Sequence, residues 1–161
     1  MKEKEYMRLE SDSIGTMEVP EDAYYGVQAL RAKENFPITG TKLHPVFIKN
    51  LAKIKRAAAI TNRKAGRLKP EIANAIEASA NEVICGMFDK DFIVDGIQGG
   101  AGTSANMNMN EVIANRAIEM LCGKKGDYTI VHPNDHVNMA QLQINSDISG
   151  EKSEAESRKR S

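Results

Sequence analysis

Three glycines stand directly before a helical pattern at residues 98–115, which read Gln-Gly-Gly-Ala-Gly-Thr-Ser-Ala-Asn-Met-Asn-Met-Asn-Glu-Val-Ile-Ala-Asn. Thr103 and Ser104 follow the last of these glycines, and both are residue types that cap helix N-termini. The unpaired N–H groups and the dipole of a helix start attract negative charge, and the threonine hydroxyl adds a donor. The pattern predicts a site for a carboxylate, a phosphate or the oxyanion of a transition state.

Two other interpretations of the glycine segment stay open. One is an ordinary helix cap with a flexible lead-in. The other is a dinucleotide site, because Gly100, Gly102 and Ala105 fit the loose G-x-G-x-x-G/A fingerprint. That fingerprint needs a buried strand before it, whereas residues 92–94 are short and flanked by aspartates. Four asparagines lie in this helical pattern, and because asparagine is a mediocre helix former, their number favours a binding site over a plain cap. The residues concerned are Asn106, Asn108, Asn110 and Asn115.

A second polar segment, residues 132–138, reads His-Pro-Asn-Asp-His-Val-Asn. Its two histidines have the spacing of zinc ligands on a helix. Pro133 is tolerated only at a helix start, however, and no third ligand has a suitable spacing. We therefore predict no metal site. The clustered polar side chains favour a loop that holds a second anion.

Length and composition limit the classes of protein to consider. The 161 residues include 22 basic and 22 acidic side chains, a balance that gives no steering toward polyanions. No apolar run is long enough to cross a bilayer, and residues 1–5 lack the apolar segment of a secretory signal. Cys85 and Cys122 are predicted to be reduced core residues. These features indicate one cytoplasmic domain.

Hydrophobic periodicity predicts a mainly α-helical domain with a short amino-terminal β-hairpin. The hairpin turns near residues 12–15. Helices are predicted at residues 27–34, 45–65 and 70–87, and a fourth follows the caps Thr103 and Ser104 with its apolar stripe from Met109 to Leu121. The clearest is 45–65, where Pro45 suits the first turn and Gly66 the end. Its predicted core stripe consists of Phe47, Leu51, Ile54, Ala58 and Ala65.

The same helix lies in a strongly basic stretch. Nine lysines and arginines, and no acidic residue, lie between Thr41 and Pro70. A nucleic-acid interface is one interpretation. A solvated helix face, or pairing with the acidic residues at 71–95, is the other. Phe47 is the only aromatic residue in this stretch and belongs to the apolar stripe, so we predict no nucleic-acid partner.

Residues 99–115 and 132–141 resemble two signature regions of the aspartase/fumarase superfamily. The second region reads His-Pro-Asn-Asp-His-Val-Asn-Met-Ala-Gln. At the amino terminus, Gly-Thr-Met-Glu-Val-Pro from Gly15 and Ala-Tyr-Tyr-Gly from Ala23 are more similar to aspartases than to fumarases, which usually carry Tyr-Trp-Gly. The resemblance is continuous from about residue 7 to residue 141.

This resemblance implies a lyase that eliminates ammonia from L-aspartate to give fumarate, without an organic cofactor. It implies a dicarboxylate ligand, no membrane partner, and a homotetramer built by a central helical bundle. By match to the family, the substrate-binding residues are Thr103, which contacts substrate, with Ser104 and Asn106. A secondary carboxylate site of related fumarases corresponds to His132, Asn134 and Asp135.

The resemblance ends at Gln141. Family members continue with Ser-Thr-Asn-Asp, and the first three of these contact substrate, whereas this chain continues with Leu-Gln-Ile-Asn. Residues 142–161 are predicted to be a divergent, disordered tail, because residues 150–161 have almost nothing apolar to bury. We expect residues 1–141 to resemble the first domain of the family fold, without the central bundle, in a truncated chain that is inactive alone. A non-catalytic interaction module that associates with a full-length partner is the alternative.

Overall fold

The computed structural model describes residues 6–97 and 102–139. Within these ranges the fold class is as predicted, mainly α-helical with an amino-terminal β-hairpin. The strands are β1 (Met7–Ser11) and β2 (Thr16–Pro20), and the α-helices are α1 (Val27–Asn35), α2 (Pro45–Lys64), α3 (Pro70–Ile84) and α4 (Thr103–Met120). A 3-10 turn at Asp89–Asp91 and a π-helical segment at Pro133–Val137 complete the described elements. The tail predicted at residues 142–161 lies outside the described residues.

The hairpin turns where the sequence predicted. Asp12 closes it by accepting the backbone N–H groups of Ile14 and Gly15 on Oδ1, at 2.9 and 3.0 Å. The register pairs Arg8 with Val19, and both Val19 and Glu10 are buried. One face of the hairpin therefore carries a carboxylate into the interior, where it meets the start of α1 (Val27 N to Glu10 Oε2, 3.0 Å).

The core lies between α2, α3 and α4. On α3, Ile76, Ala80 and Val83 are buried, and the helix ends at Ile84 rather than at residue 87 as predicted. Gly86 adopts a φ of +83°, a left-handed conformation that only glycine takes at little cost, and it terminates the helical path. In the part of the chain that the structure describes, none of the helices combines the length and the hydropathy needed to span a bilayer.

The buried face of α2 differs from the predicted one. Phe47 and Ile54 are 46% and 56% exposed, and Ala65 lies past the helix as its C-cap. The helix carries two neighbouring rows at helical spacing, and the prediction followed the row with the larger apolar side chains. The structure buries the other row, whose small alanines permit close packing and whose two polar members conceal it in the sequence. That row is Ile48, Ala52, Lys55, Ala59 and Asn62.

The two cysteines were wrongly assigned to the core. Cys85 is the C-cap of α3, and Cys122 lies two residues past the end of α4 with a φ of +63°. Both thiol-bearing residues are exposed, because each stands where the chain turns away from a helix end.

Candidate functional site

The predicted anion site lies at the first turn of α4. Gly102 is the N-cap, with a left-handed φ of 78°, and no atom of the described residues beyond its chain neighbours lies within 4 Å of the place that a Cβ would occupy there. Thr103 and Ser104, predicted as caps, are instead the first two helical residues, because a left-handed cap position favours glycine. Thr103 is exposed, Ser104 is half-buried, and no acidic residue stands in the first turn. The positive end of the helix dipole is therefore not neutralised by side chains of its own first turn.

The glycine segment does not belong to a dinucleotide fold. Gly99 and Gly100 lie outside the described residues. Residues 92–94 do not form a strand, and the β-type pairing next to them is an isolated bridge between Asp95 and Lys42. The sheet found in the described ranges is the two-stranded β1–β2 hairpin, so the parallel strands that the fingerprint requires do not flank Gly102. The dinucleotide interpretation is wrong.

Two of the four asparagines of α4 hold the chain itself rather than marking a ligand. The Asn108 amide donates to the carbonyl of Asp91 at 2.9 Å. Asn115 donates to the carbonyl of Tyr24 at 2.8 Å and accepts the N–H of Gly126 at 2.7 Å. Both asparagines are fully buried, and each fixes a distant segment against α4. For these two residues the interpretation as part of a binding site is wrong.

The other two asparagines lie one turn apart on a different face of α4. Asn106 Nδ2 donates to Asn138 Oδ1 at 3.2 Å, which joins the two polar regions that the sequence singled out. The Oδ1 atoms of Asn106 and Asn110 are buried and have no hydrogen-bond partner within residues 6–97 and 102–139. Unpaired buried acceptors are uncommon in folded proteins, so this face of α4 carries unused hydrogen-bonding capacity close to Thr103.

A buried lysine completes this cluster. Lys55 on α2 is 2% exposed, and its Nζ donates to Asn138 Oδ1 at 2.8 Å. Burial lowers the pKa of Lys55 to about 8. Sequence reasoning missed this residue because it counted Lys55 among surface cations. The signal that could have found it is its position in the row with Ile48 and Ala52, at spacings of seven and three.

The histidine segment caps itself. His132 Nδ1 accepts the N–H groups of Asn134 and Asp135, both at 3.2 Å, and the N–H of His132 donates to His136 Nδ1 at 2.8 Å. Burial lowers the pKa of His136. The Asp135 carboxylate lies 3.6 Å from His132 Nδ1 and brings negative charge into the place predicted for a second anion. Across residues 6–97 and 102–139, no group of three or more His, Cys, Asp or Glu side chains is placed to hold a metal ion.

Glu111 positions α4 against α1. Its Oε2 accepts the N–H groups of Gly26 and Ala29, both at 3.0 Å, and its Oε1 accepts that of Gln28 at 2.8 Å. Burial, with a smaller contribution from the nearby Glu10 carboxylate, raises the pKa of Glu111 to about 7. Since α1 has no acidic residue in its own first turn, carboxylates from β1 and α4 fill that role.

The close fit of these groups depends on a glycine. A Cβ on Gly26 would lie 2.4 Å from the Tyr128 hydroxyl oxygen, 2.6 Å from Glu10 Oε2 and 2.8 Å from Glu111 Cδ. Sequence reasoning named none of these carboxylates, because the residues that meet here are far apart in the chain. This clamp, in which the Glu10 and Glu111 carboxylates accept N–H groups of residues 26–29, holds α4 and the hairpin against the start of α1.

Comparison with known proteins identifies relatives of this chain. A family model described as Lyase matches residues 15–143. The chain is 55% identical over 135 residues to an aspartate ammonia-lyase from Bacillus sp, covering 84% of this chain and 29% of that one. It is 54% identical over 134 residues to a class II fumarate hydratase from Halobacterium salinarum, covering 83% and 28%.

A solved structure is also similar to this chain. The crystal structure of fumarate lyase:delta crystallin from Brucella melitensis in native form superposes with a TM-score of 0.81 at 48% identity, covering 83% of this chain and 32% of that one. The chain therefore spans about three tenths of the length of the relatives it matches.

Proposed function

Because this chain belongs to the lyase family that includes aspartate ammonia-lyases and class II fumarate hydratases, we propose that it supplies the amino-terminal part of an aspartate ammonia-lyase active site. The reaction would convert L-aspartate to fumarate and ammonia. Thr103, Ser104 and Asn106 would bind a substrate carboxylate at the start of α4. The observation that supports this role best is the first turn of α4, which carries no acidic residue and is joined to the second polar region through Asn138.

The chemistry of the elimination explains why such a site is needed. Removing a proton from the carbon beside a carboxylate concentrates negative charge, and donors aimed at that charge lower the barrier. The helix dipole and the Thr103 hydroxyl would provide part of this stabilisation. We assign no general base to this chain. The base, and the homotetramer implied by the family resemblance, would come from the segments that the relatives have beyond the matched region.

A second, weaker carboxylate site is proposed at His132, Asn134 and Asp135. With Nδ1 accepting two backbone N–H groups, a neutral His132 carries its proton on Nε2, which is the donor available to an anion. The neighbouring Asp135 carboxylate opposes anion binding, so we expect this site to bind more weakly than the start of α4.

The proposed division of labour predicts that the chain alone does not turn over L-aspartate. Residues 1–139 fused to the carboxyl-terminal part of the Bacillus aspartate ammonia-lyase should form fumarate, because the fusion adds the segments that the relative has beyond the matched region. Fumarate formation is followed by ultraviolet absorbance with each purified protein. Turnover by the unfused chain would contradict the division of labour, and a folded but inactive fusion would contradict the proposed role of this domain.

A second candidate function, a non-catalytic module that associates with a full-length lyase subunit, is favoured by the outer face of α2. A surface helix normally turns polar residues to water. Here Val46, Phe47 and Ile54 are 57%, 46% and 56% exposed, and Leu51 beside them is half-buried. This row of large apolar side chains has the composition of an interaction surface.

The interaction module predicts a specific loss of association. The double variant Phe47→Ser with Ile54→Ser should weaken binding to the Bacillus aspartate ammonia-lyase at least tenfold, since each large side chain contributes roughly 1.5 kcal/mol or more when buried. Analytical ultracentrifugation of the mixture measures the effect. Met87→Ser is the matched control, because Met87 is 60% exposed and lies outside α2. Equal weakening by the control, or no association of the unaltered chain, would remove this candidate.

A further inference from the structure

The ammonium group of Lys55 is an unusual buried charge. The side chain is 2% exposed, and its burial carries no compensating ion pair among residues 6–97 and 102–139. Burial of an uncompensated charge is expensive, and proteins normally pair such a group or neutralise it. Lys55 therefore calls for a functional explanation.

The charged and titratable groups on the elements around Lys55 bind partners other than Lys55. On α4, Glu111 binds the backbone of α1, and Arg116 binds Glu82 and Glu119. On α3, Glu77 pairs with Arg63 at 3.1 Å. In the π-helical segment and its cap, the partners of His132, Asp135 and His136 lie within the segment. None of these groups supplies Lys55 with a counter-charge.

The acceptor that Lys55 reaches among the described residues links it to the candidate site. Asn138 Oδ1 accepts from Lys55 Nζ at 2.8 Å and from Asn106 Nδ2 at 3.2 Å. A cation can bind only the carbonyl end of an amide, so Lys55 fixes which way the Asn138 amide points. Asn138 in turn orients Asn106, which stands one turn inside α4 from Thr103. A change at Lys55 is thereby transmitted to the first turn of α4.

We propose that Lys55 is a positioning residue of the anion site, which orients Asn138 and Asn106 and contributes the positive charge that a bound dicarboxylate neutralises. This inference rests on the function proposed above, because it assumes that the start of α4 binds a dicarboxylate. It adds a residue on another helix to that site and a property that the site residues Thr103, Ser104 and Asn106 cannot have, a titratable charge.

The charge gives the proposal a distinctive signature. With its pKa lowered to about 8, Lys55 is only partly protonated at pH 8.5 in the free protein. A dianion nearby favours the charged ammonium and raises that pKa, so binding draws a proton from solution. A lysine that served only to fill the core would show no such proton uptake on binding.

Calorimetric titration of the 161-residue chain with fumarate at pH 8.5, in HEPES and in Tris, measures both affinity and proton uptake. The unaltered chain should take up a fraction of a proton. Lys55→Met should weaken binding on the order of tenfold and abolish the uptake, as expected for the loss of one nearby charge. Lys55→Arg should keep most of the affinity but show no uptake, because a guanidinium stays protonated.

The outcomes separate this proposal from the one on which it rests. If Lys55→Met binds fumarate with the affinity and proton uptake of the unaltered chain, Lys55 has no role in the site, although the site stands. If the unaltered chain binds no fumarate at all, the anion site itself is wrong and this inference falls with it. Circular dichroism measures whether each variant folds. If Lys55→Met does not fold, Lys55→Arg, which keeps the charge, still tests the proposal through its affinity and its proton uptake.

Discussion

Replacing Glu111 by alanine is expected to lower the free energy of unfolding by about 4 kcal/mol. The change leaves the N–H groups of Gly26, Gln28 and Ala29 without their acceptor, and it opens a cavity beside them. Each unpaired buried donor costs roughly 1–3 kcal/mol, although water entering the cavity offsets part of that sum. Urea denaturation followed by circular dichroism measures the loss. Glu82→Ala is the matched control, because Glu82 is a partly exposed carboxylate paired with Arg116, and its removal should cost within about 1 kcal/mol.

A glutamine at position 111 isolates the effect of charge. The pKa of Glu111 is raised from 4.5 to about 7 in the folded chain, so the folded state holds the proton more tightly than the unfolded state does. Its contribution to stability is therefore fully present below pH 4.5 and is lost as the pH rises toward 7, by about 3 kcal/mol in total. Glu111→Gln cannot titrate and should not show this loss. The difference between the two proteins should thus grow from pH 5 to pH 8 in favour of Glu111→Gln. An alanine variant within about 1 kcal/mol of the unaltered chain, or a difference independent of pH, would show that the clamp is not as described.

The local signals in the sequence predicted the elements well, because each boundary depends on a few neighbouring residues. Pro45 and Pro70 begin their helices, and Gly66 and Gly86 follow helix ends in the left-handed conformation. Alternation around Asp12 correctly predicted the hairpin. These features follow from the dihedral preferences of proline and glycine and from short-range hydrogen bonds. The residues that determine them are neighbours in the chain, so the sequence alone shows them.

The orientation of α2 could not be predicted from its own residues. Both of its rows satisfy the helical period, and choosing between them requires knowledge of what packs against the helix. Lys55 and Asn62 made the buried row look like the outer one. The side chain of Lys55 is tolerated inside because Asn138, 83 residues later, provides an acceptor for its ammonium. No pattern within residues 45–64 contains that information.

The sequence predicted the start of α4 as a candidate site, but it did not show which asparagines of that helix face the site. Thr103 and the preceding glycine were found because a glycine segment before a helix is a local pattern. The interpretation of the asparagines was wrong for Asn108 and Asn115, because the groups that satisfy them belong to segments up to 91 residues away. One helix thus serves two purposes. Its buried polar side chains hold three neighbouring segments in place, and the same contacts fix the position of the first turn, where we propose that a carboxylate binds.

Thr103→Ala in the active fusion of residues 1–139 with the Bacillus carboxyl-terminal part is expected to lower kcat/KM for L-aspartate by about 100- to 1,000-fold. Loss of one donor aimed at a developing oxyanion typically raises the barrier by roughly 2–4 kcal/mol. The effect should fall mainly on kcat, because the hydroxyl is most needed when negative charge is greatest, in the transition state. Steady-state rates of fumarate formation measure both constants.

The serine variant distinguishes the hydroxyl from the helix start. Thr103→Ser keeps the donor and removes only a methyl group, so it should retain most of the activity, whereas the dipole and the left-handed Gly102 cap are the same in both variants. If alanine and serine reduce the rate equally, the methyl group matters and the hydroxyl does not. If neither reduces it, the start of α4 does not stabilise the transition state. A loss with alanine that serine restores assigns the stabilisation to a hydroxyl held at the positive end of a helix whose first turn has no acidic residue.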